Sequence, residues 1–285
     1  MRNLILFATY WNERQWIEAS LEQIEAIDPI EVIICDGCFD DRKENRSTDG
    51  TREIIQDWVE RRGPSARMTS ATRLTRSQAP GALLSSISRK GFTAYPSRIA
   101  KGLRQGLSKS LYRINQAVTF GKMIQMSDKW ENGRWFMTYD ADQFYSDTCI
   151  ETFDHCQSNT DAGLITAKEY TFEQDFSTCV TGFEKRDWNN MPHKIYPNTA
   201  IYPTRHLMLE SAASLKLYRR KVTTIDGGYY CHYKFRVDQA REKAGYSLGD
   251  RRPPKAEKFK DPIAFDMEHP QTIRNRFADA IATQA

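Results

Sequence analysis

Apolar and polar positions fall into two periods along the opening stretch of the chain. Asn3–Tyr10 is apolar almost throughout, as a parallel strand covered on both faces should be. Asn12 then offers a helix cap, and Trp16, Ile17, Leu21, Ile24 and Ile27 keep helical spacing until Asp28-Pro29 ends the run. Glu31–Cys35 is a second strand, closed by Asp36-Gly37. After a polar loop, Ser47-Thr48-Asp49-Gly50-Thr51 leads into a helix carrying Ile54, Ile55, Trp58 and Val59. Strand, helix, strand, helix is the start of an α/β sheet.

Beyond this unit the periodicity weakens. From Gly63 to about Ser97 the chain is rich in Ser, Thr, Pro and Gly, which predicts a long loop. Ile99, Leu103, Leu107 and Leu111 recur every four residues among Arg and Lys, a basic amphipathic helix. Gln116–Ser127 predicts another helix, Trp135–Tyr139 a buried strand, Asp147–Gln157 a helix and Ala162–Ala167 a strand. The stretch through Tyr233 mixes aromatics, prolines and short β-like runs. Arg236–Ala244 reads as helical, and the Pro-rich tail past Asp250 lacks core character until a terminal helix over Thr272–Thr283. The expected organisation is one catalytic domain over 1–250, with 61–127 inserted before the Trp135 strand, and a tail over 251–285.

Charge sharpens the picture. The net charge is only +4, yet 13 Lys or Arg residues and no acidic residue lie between Arg61 and Ser127. The remainder carries 28 basic against 37 acidic residues. Such a block points to a polyanionic partner: nucleic acid, anionic lipid or a phosphate-bearing substrate. Cys35 and Cys38 form a C-x-x-C without a second pair at zinc spacing, so the 6 cysteines are expected to be structural, reduced thiols. No apolar stretch is long enough to span a bilayer and the N-terminus makes a poor signal peptide, which predicts a soluble, cytoplasmic protein.

The most informative chemistry is Asp140-Ala141-Asp142 at the end of the Trp135 strand. Residues i and i+2 of a strand share a face, and ligands of open α/β sheets gather at the strands' carboxyl ends. Two carboxylates there supply hard oxygen donors suited to Mg²⁺ or Mn²⁺, a cation that can neutralise a diphosphate.

Taken in order, Thr9-Tyr10-Trp11-Asn12-Glu13, Asp36-Gly37, Ser47-Thr48-Asp49-Gly50-Thr51 and Asp140-Ala141-Asp142 resemble the family 2 glycosyltransferases of the GT-A fold. Those typically read Y-N-E after the first strand, D-D-G-S-x-D-G-T after the second and DxD after a later one. Here the second motif is split by Cys38–Arg46, so that the loop is able to swing away. The resemblance implies a GT-A-like, Rossmann-type mixed sheet flanked by helices, with a basic insertion and a C-terminal acceptor-side subregion. It implies a metal-dependent enzyme that moves a sugar from a nucleotide-sugar donor to an acceptor hydroxyl, with Mn²⁺ or Mg²⁺ as cofactor.

Carried over residue by residue, the resemblance has Thr9, Tyr10 and Glu13 line the nucleoside pocket, with Asp36 reading base or ribose. Lys122 would stand near the diphosphate and Asp140 near ribose or donor sugar. Asp142 would bind the metal, joined by Asp140 and by His232 of Tyr229-Tyr230-Cys231-His232-Tyr233. If the anomeric configuration inverts, a carboxylate must deprotonate the acceptor. Glu169, Glu184, Asp187, Glu210 and Asp226 are available, and Glu210 or Asp226 fits the family's habit of placing its base well downstream of the DxD. The acceptor is expected to be a glycan, or DNA in view of the basic segment. Two alternatives stay open: a sugar-nucleotide pyrophosphorylase, disfavoured because Tyr10–Arg14 is not a Gly-rich basic loop, and a non-catalytic basic nucleic-acid- or membrane-associated protein that keeps only the fold.

Overall fold

The computed structural model describes residues 2–79, 81, 111–158, 161–173, 175–179, 190–196, 199–201, 207–209, 222–234 and 263–284. The chain runs β1 (Arg2–Tyr10), α1 (Ile17–Ile27), β2 (Pro29–Asp36), α2 (Thr51–Arg62), β3 (Ala66–Ser70), α3 (Tyr112–Met126), β4 (Trp135–Asp140) and β5 (Gln143–Tyr145). It continues through α4 (Asp147–Ser158), β6 (Leu164–Phe172), β7 (Thr178–Cys179), β8 (His193–Lys194), β9 (Thr199–Ile201) and β10 (Leu207–Leu209). The last elements are β11 (Val222–Tyr233), β12 (Ile263–Ala264) and α5 (Gln271–Gln284).

Eight strands form one mixed sheet in the order β3-β2-β1-β4-β8-β6-β11-β5. The first four are parallel, as are β6 and β11, while β8 and β5 run against their neighbours. The order β3-β2-β1-β4 is that of doubly wound nucleotide-binding sheets, which reverse direction of growth between the first and fourth positions. At that junction Thr9 and Asp140 are register partners, and Tyr10 pairs with Asp36 on the other side of β1. The residues that end β1, β2 and β4 therefore form one carboxyl edge. The pair β9–β10 and the pair β7–β12 form two small separate ladders.

Strand alternation sorts the core into two layers. Leu4, Leu6, Ala8 and Tyr10 pack with Trp16, Leu21 and Ile24 of the α1 region, Ile55 and Trp58 of α2 and Phe153 of α4. Ile5 and Phe7 face the opposite way, against Phe120, Met123 and Ile124 of α3. Helices thus cover both faces, which is why β1 reads as a continuous apolar run. Among the described residues no helix is long and apolar enough to cross a membrane.

Several local expectations need correction. Asn12 does not cap α1: it sits at φ 52°, and the helix starts after Trp16, whose backbone N–H and that of Ile17 both reach the Glu13 carbonyl. Its amide oxygen instead accepts from the Thr48 backbone. The loop expected after Gly63 contains β3, an edge strand whose sequence Ala-Arg-Met-Thr-Ser carries no clear period-2 pattern. The strand β11 is much longer than the short β-like runs expected there, because a register shift between Thr224 and Tyr229 and the Asp226-Gly227-Gly228 bend break its alternation. The terminal helix is present as α5, and Ile273 and Phe277 pack it onto the core beside Trp16. The amphipathic segment 99–110 and the helix expected over 236–244 lie outside the described residues.

Candidate functional site

The carboxyl edge is assembled from two loops, the first of them packed on the turn after β1, and from the end of β11. The first is the split motif. Although Cys38–Arg46 separates its halves, the second half returns and is tied down. The Ser47 hydroxyl accepts from the Asn12 backbone at 2.9 Å and donates to Asp36 Oδ1 at 2.5 Å. The Thr51 hydroxyl accepts from the Glu13 backbone and Asp49 Oδ2 accepts from that of Arg14. Gly50, at φ 88°, makes the left-handed turn that lets Thr51 open α2. The loop has no freedom to swing away while these bonds hold.

Asp36 is fully buried and its carboxylate is engaged: Oδ1 by the Ser47 backbone and hydroxyl, Oδ2 by Arg52 at 2.8 Å. Tyr10 is buried on the same sheet face, its hydroxyl 2.8 Å from Ser20 of α1, and burial pushes its pKa up. Thr9 and Asp140 share the opposite face, beside each other across β1 and β4. Glu13 is buried within the loop that follows β1.

The second loop is the DxD turn. Asp140 Oδ2 accepts from the Asn190 amide at 3.2 Å, and Thr138, on the same face of β4, donates to Asn190 Oδ1 at 2.7 Å. The Tyr145 hydroxyl donates to the Asn190 carbonyl, which completes a clamp around this residue. Asn190 has no motif, so sequence offers no sign of it. Ala141 and Asp142 then reverse the chain, and β5 runs back antiparallel to β11 with His232 opposite Gln143. The Tyr233 backbone donates to the Asp142 carbonyl at 2.8 Å, which stitches the end of β11 to the turn.

This pairing brings together the acidic motif and a histidine remote in sequence. His232 Nε2 lies 3.5 Å from Asp142 Oδ1, and Nδ1 lies 3.0 Å from Glu169 Oε1. Burial disfavours charge on His232, but Asp142 and Glu169 outweigh it and raise its pKa to about 9. Burial likewise opposes ionisation of Glu169, yet its bonds to His232 and Tyr230 hold its carboxyl below the usual range. Among the described residues no three His, Cys, Asp or Glu side chains converge on one point as a closed metal cage.

Two further expected site residues lie on α3 and β11. Lys122 is exposed on α3. The N-terminal end of that helix is the one near the carboxyl edge, where Asn115 bonds the Phe39 carbonyl and the Leu74 backbone. Lys122 is about 10 Å along the helix axis from Asn115, close enough for its charge to act on Cys35, the residue before Asp36. Asp226 is exposed at the bend of β11, which the ladder places about 10–17 Å along the strand from His232. Glu210, Glu184 and Asp187 lie outside the described residues. All 6 cysteines are buried and unpaired; burial pushes the Cys35 and Cys38 thiols up, as suits structural residues.

No protein-family model matches the chain, and no curated protein does. Solved structures do. Residues 1–349 of S. aureus TarS superpose with a TM-score of 0.43 at 10% identity, covering 82% of this chain and 60% of that one. The same protein in complex with UDP-GlcNAc gives 0.41 at 12% identity, covering 83% and 59%. The longer TarS structure gives 0.41 at 10% identity, covering 82% of this chain and 37% of its own. This chain thus spans about 60% of the shorter TarS structures and less of the longer. These are distant likenesses.

Proposed function

We propose that this protein is a glycosyltransferase of the GT-A type, taking a nucleoside-diphosphate sugar and a divalent cation at the carboxyl edge of its sheet. One observation carries the proposal: the juxtaposition of Asp142 Oδ1 and His232 Nε2, 3.5 Å apart, beside Asp140 at the β1/β4 reversal. Fold alone would not support it, because such sheets host many chemistries.

The donor set fits a cation such as Mn²⁺ or Mg²⁺. Two ligands each about 2.1 Å from one ion stand some 3.0–3.5 Å apart, and such ions are held by few protein groups plus substrate phosphates. Asp142 and His232 would hold it. When bound, it would offset the charge that develops on the departing diphosphate.

The chain's own residues do the rest. Asp140, fixed by Asn190, presents its carboxylate towards ribose or sugar hydroxyls. Thr9, Glu13 and the tied-down Ser47–Thr51 return enclose the nucleoside end, with Tyr10 and Asp36 supporting that wall from within. The acceptor carries phosphate, as DNA or a phosphate-bearing glycan does, in keeping with the acid-free basic segment between Arg61 and Ser127.

A thermal-shift panel of UDP, GDP, CDP and dTDP, with UDP-GlcNAc added, tests this in Mn²⁺ or in EDTA. One nucleotide should raise the midpoint of the wild type only with Mn²⁺, and Asp142→Ala should abolish that shift. Absence of a shift with every nucleotide in Mn²⁺ would sink the proposal.

A further inference from the structure

Glu169 was one of several acidic residues compatible with a catalytic base. Its surroundings give it other work. Its side chain is 6% exposed, and three donors or ring nitrogens surround the carboxylate. The Thr171 hydroxyl donates to Oε1 at 3.0 Å, the Tyr230 hydroxyl donates to Oε2 at 2.9 Å, and His232 Nδ1 lies 3.0 Å from Oε1.

The sheet itself fixes this group. Tyr230 pairs with Glu169 and His232 with Thr171 along β11 and β6, so all four side chains rise from one face of adjacent parallel strands. Side chains on strands are held more narrowly than side chains on loops. The carboxylate therefore meets the imidazole at a geometry set by ladder hydrogen bonds.

The three groups lie in series. Glu169 addresses Nδ1 and Asp142 addresses Nε2, the two opposite nitrogens of one ring. Glu169 thus cannot share an ion with Asp142 at Nε2. An ionised carboxylate only accepts hydrogen bonds, so it requires N–H at Nδ1 and leaves Nε2 as the lone-pair nitrogen when a cation is opposite.

We infer that Glu169 is a positioning residue: it sets the tautomer and ring angle of His232 so that Nε2 and Asp142 Oδ1 form a two-sided cation seat. The inference rests on the function proposed above. Carboxylates in this relation to a metal-bound histidine contribute about 10–100-fold in metal affinity.

The full chain would be titrated with Mn²⁺ at saturating nucleoside diphosphate, following free Mn²⁺ by electron paramagnetic resonance. Glu169→Ala should weaken the Kd by about 10–100-fold. Glu169→Gln should weaken it less, since its amide oxygen still accepts from Nδ1 and keeps the shape of the site. Histidine ¹⁵N spectra with diamagnetic Cd²⁺ supply a second readout. With only 5 histidines in the chain, loss of a signal in His232→Asn assigns the resonance. Wild type should show protonated Nδ1 and metal-bound Nε2, a pattern that Glu169→Ala disturbs.

If the wild type binds Mn²⁺ and Glu169→Ala binds it within twofold, with the ¹⁵N pattern intact, the positioning role is overturned while the proposed function stands. If the wild type binds no Mn²⁺ with any nucleotide, the metal-dependent function falls, and this inference with it.

Discussion

At the scale of single residues, the chemistry is set by what each polar group must bond once water is gone. His269 shows this away from the proposed site. It is buried against Phe172, Phe176 and Phe265, with its Nδ1 2.7 Å from the Tyr233 hydroxyl. Burial lowers its pKa to about 4, with Arg274 adding to the effect and a bond to the Phe176 backbone opposing it. The folded value lies below the ordinary 6.5, so the unfolded chain takes up the proton first as pH falls. The stabilisation from neutral His269 is whole above pH 6.5 and declines towards the folded value near 4. Urea unfolding of wild type and His269→Asn from pH 7.5 to 4.5 checks this. The wild type should lose on the order of 2 kcal/mol more than the variant across that window. Parallel pH profiles would mean that His269 does not titrate as its surroundings require.

The same rule explains which candidate residues sequence could place. Asp142 and His232 are recognisable as ligand types in motifs, and the structure sets them side by side. The partners that engage Glu169 are not legible, because they depend on which strands become neighbours, while those of Asp36 (Ser47 and Arg52) depend on the split loop closing back on β2. No local pattern announces that Glu169 and Tyr230 share a register position.

At the scale of elements, legibility followed periodicity. The strands β1, β2 and β4 and the helices α1, α2 and α4 were readable within a few residues, since each carries an apolar face or an unbroken apolar run. The strand β3 was missed because an edge strand with one covered face needs few apolar positions. What sequence could not say about the split motif was whether its loop closes, and Gly37 answers that. Its backbone N–H donates to the Tyr10 carbonyl, and a Cβ built on it would stand 2.7 Å from the Asn45 carbonyl oxygen and 2.9 Å from the Ala71 nitrogen. These are backbone atoms, so no side-chain rotation relieves the contact. Gly37→Ala should cost about 1–3 kcal/mol in denaturant unfolding and loosen nucleotide binding as the return from Asn45 to Thr51 shifts outwards. An unchanged unfolding midpoint would show that the loop tolerates displacement.

Taken whole, the chain divides two kinds of charge along its sequence. Asp140 and Asp142 belong to an acidic remainder, while the segment between Arg61 and Ser127 carries 13 cations and no acidic residue. A phosphate-bearing acceptor would be gathered by the second and processed at the first. Binding of duplex or single-stranded DNA should therefore weaken linearly in log K against log salt, with a slope that counts the phosphates engaged. Fluorescence anisotropy between 50 and 300 mM NaCl, about the range over which such affinities fall steeply, measures it. A flat response, or no binding at low salt, would exclude nucleic acid as the acceptor and turn the search to glycans.

The reversal at Ala141–Asp142 has one more consequence, for the order in which the protein acquires its function. The chain leaves β4 but seats β5 against β11, a strand built from residues synthesised much later. A nascent or truncated chain that ends before Val222 carries Asp142 without the imidazole opposite it. Contacts so distant in sequence close late, after their loop entropy has been overcome. Cation-dependent nucleotide affinity would then be a property that appears only on completion of the sheet, and its onset during refolding would time the docking of β11.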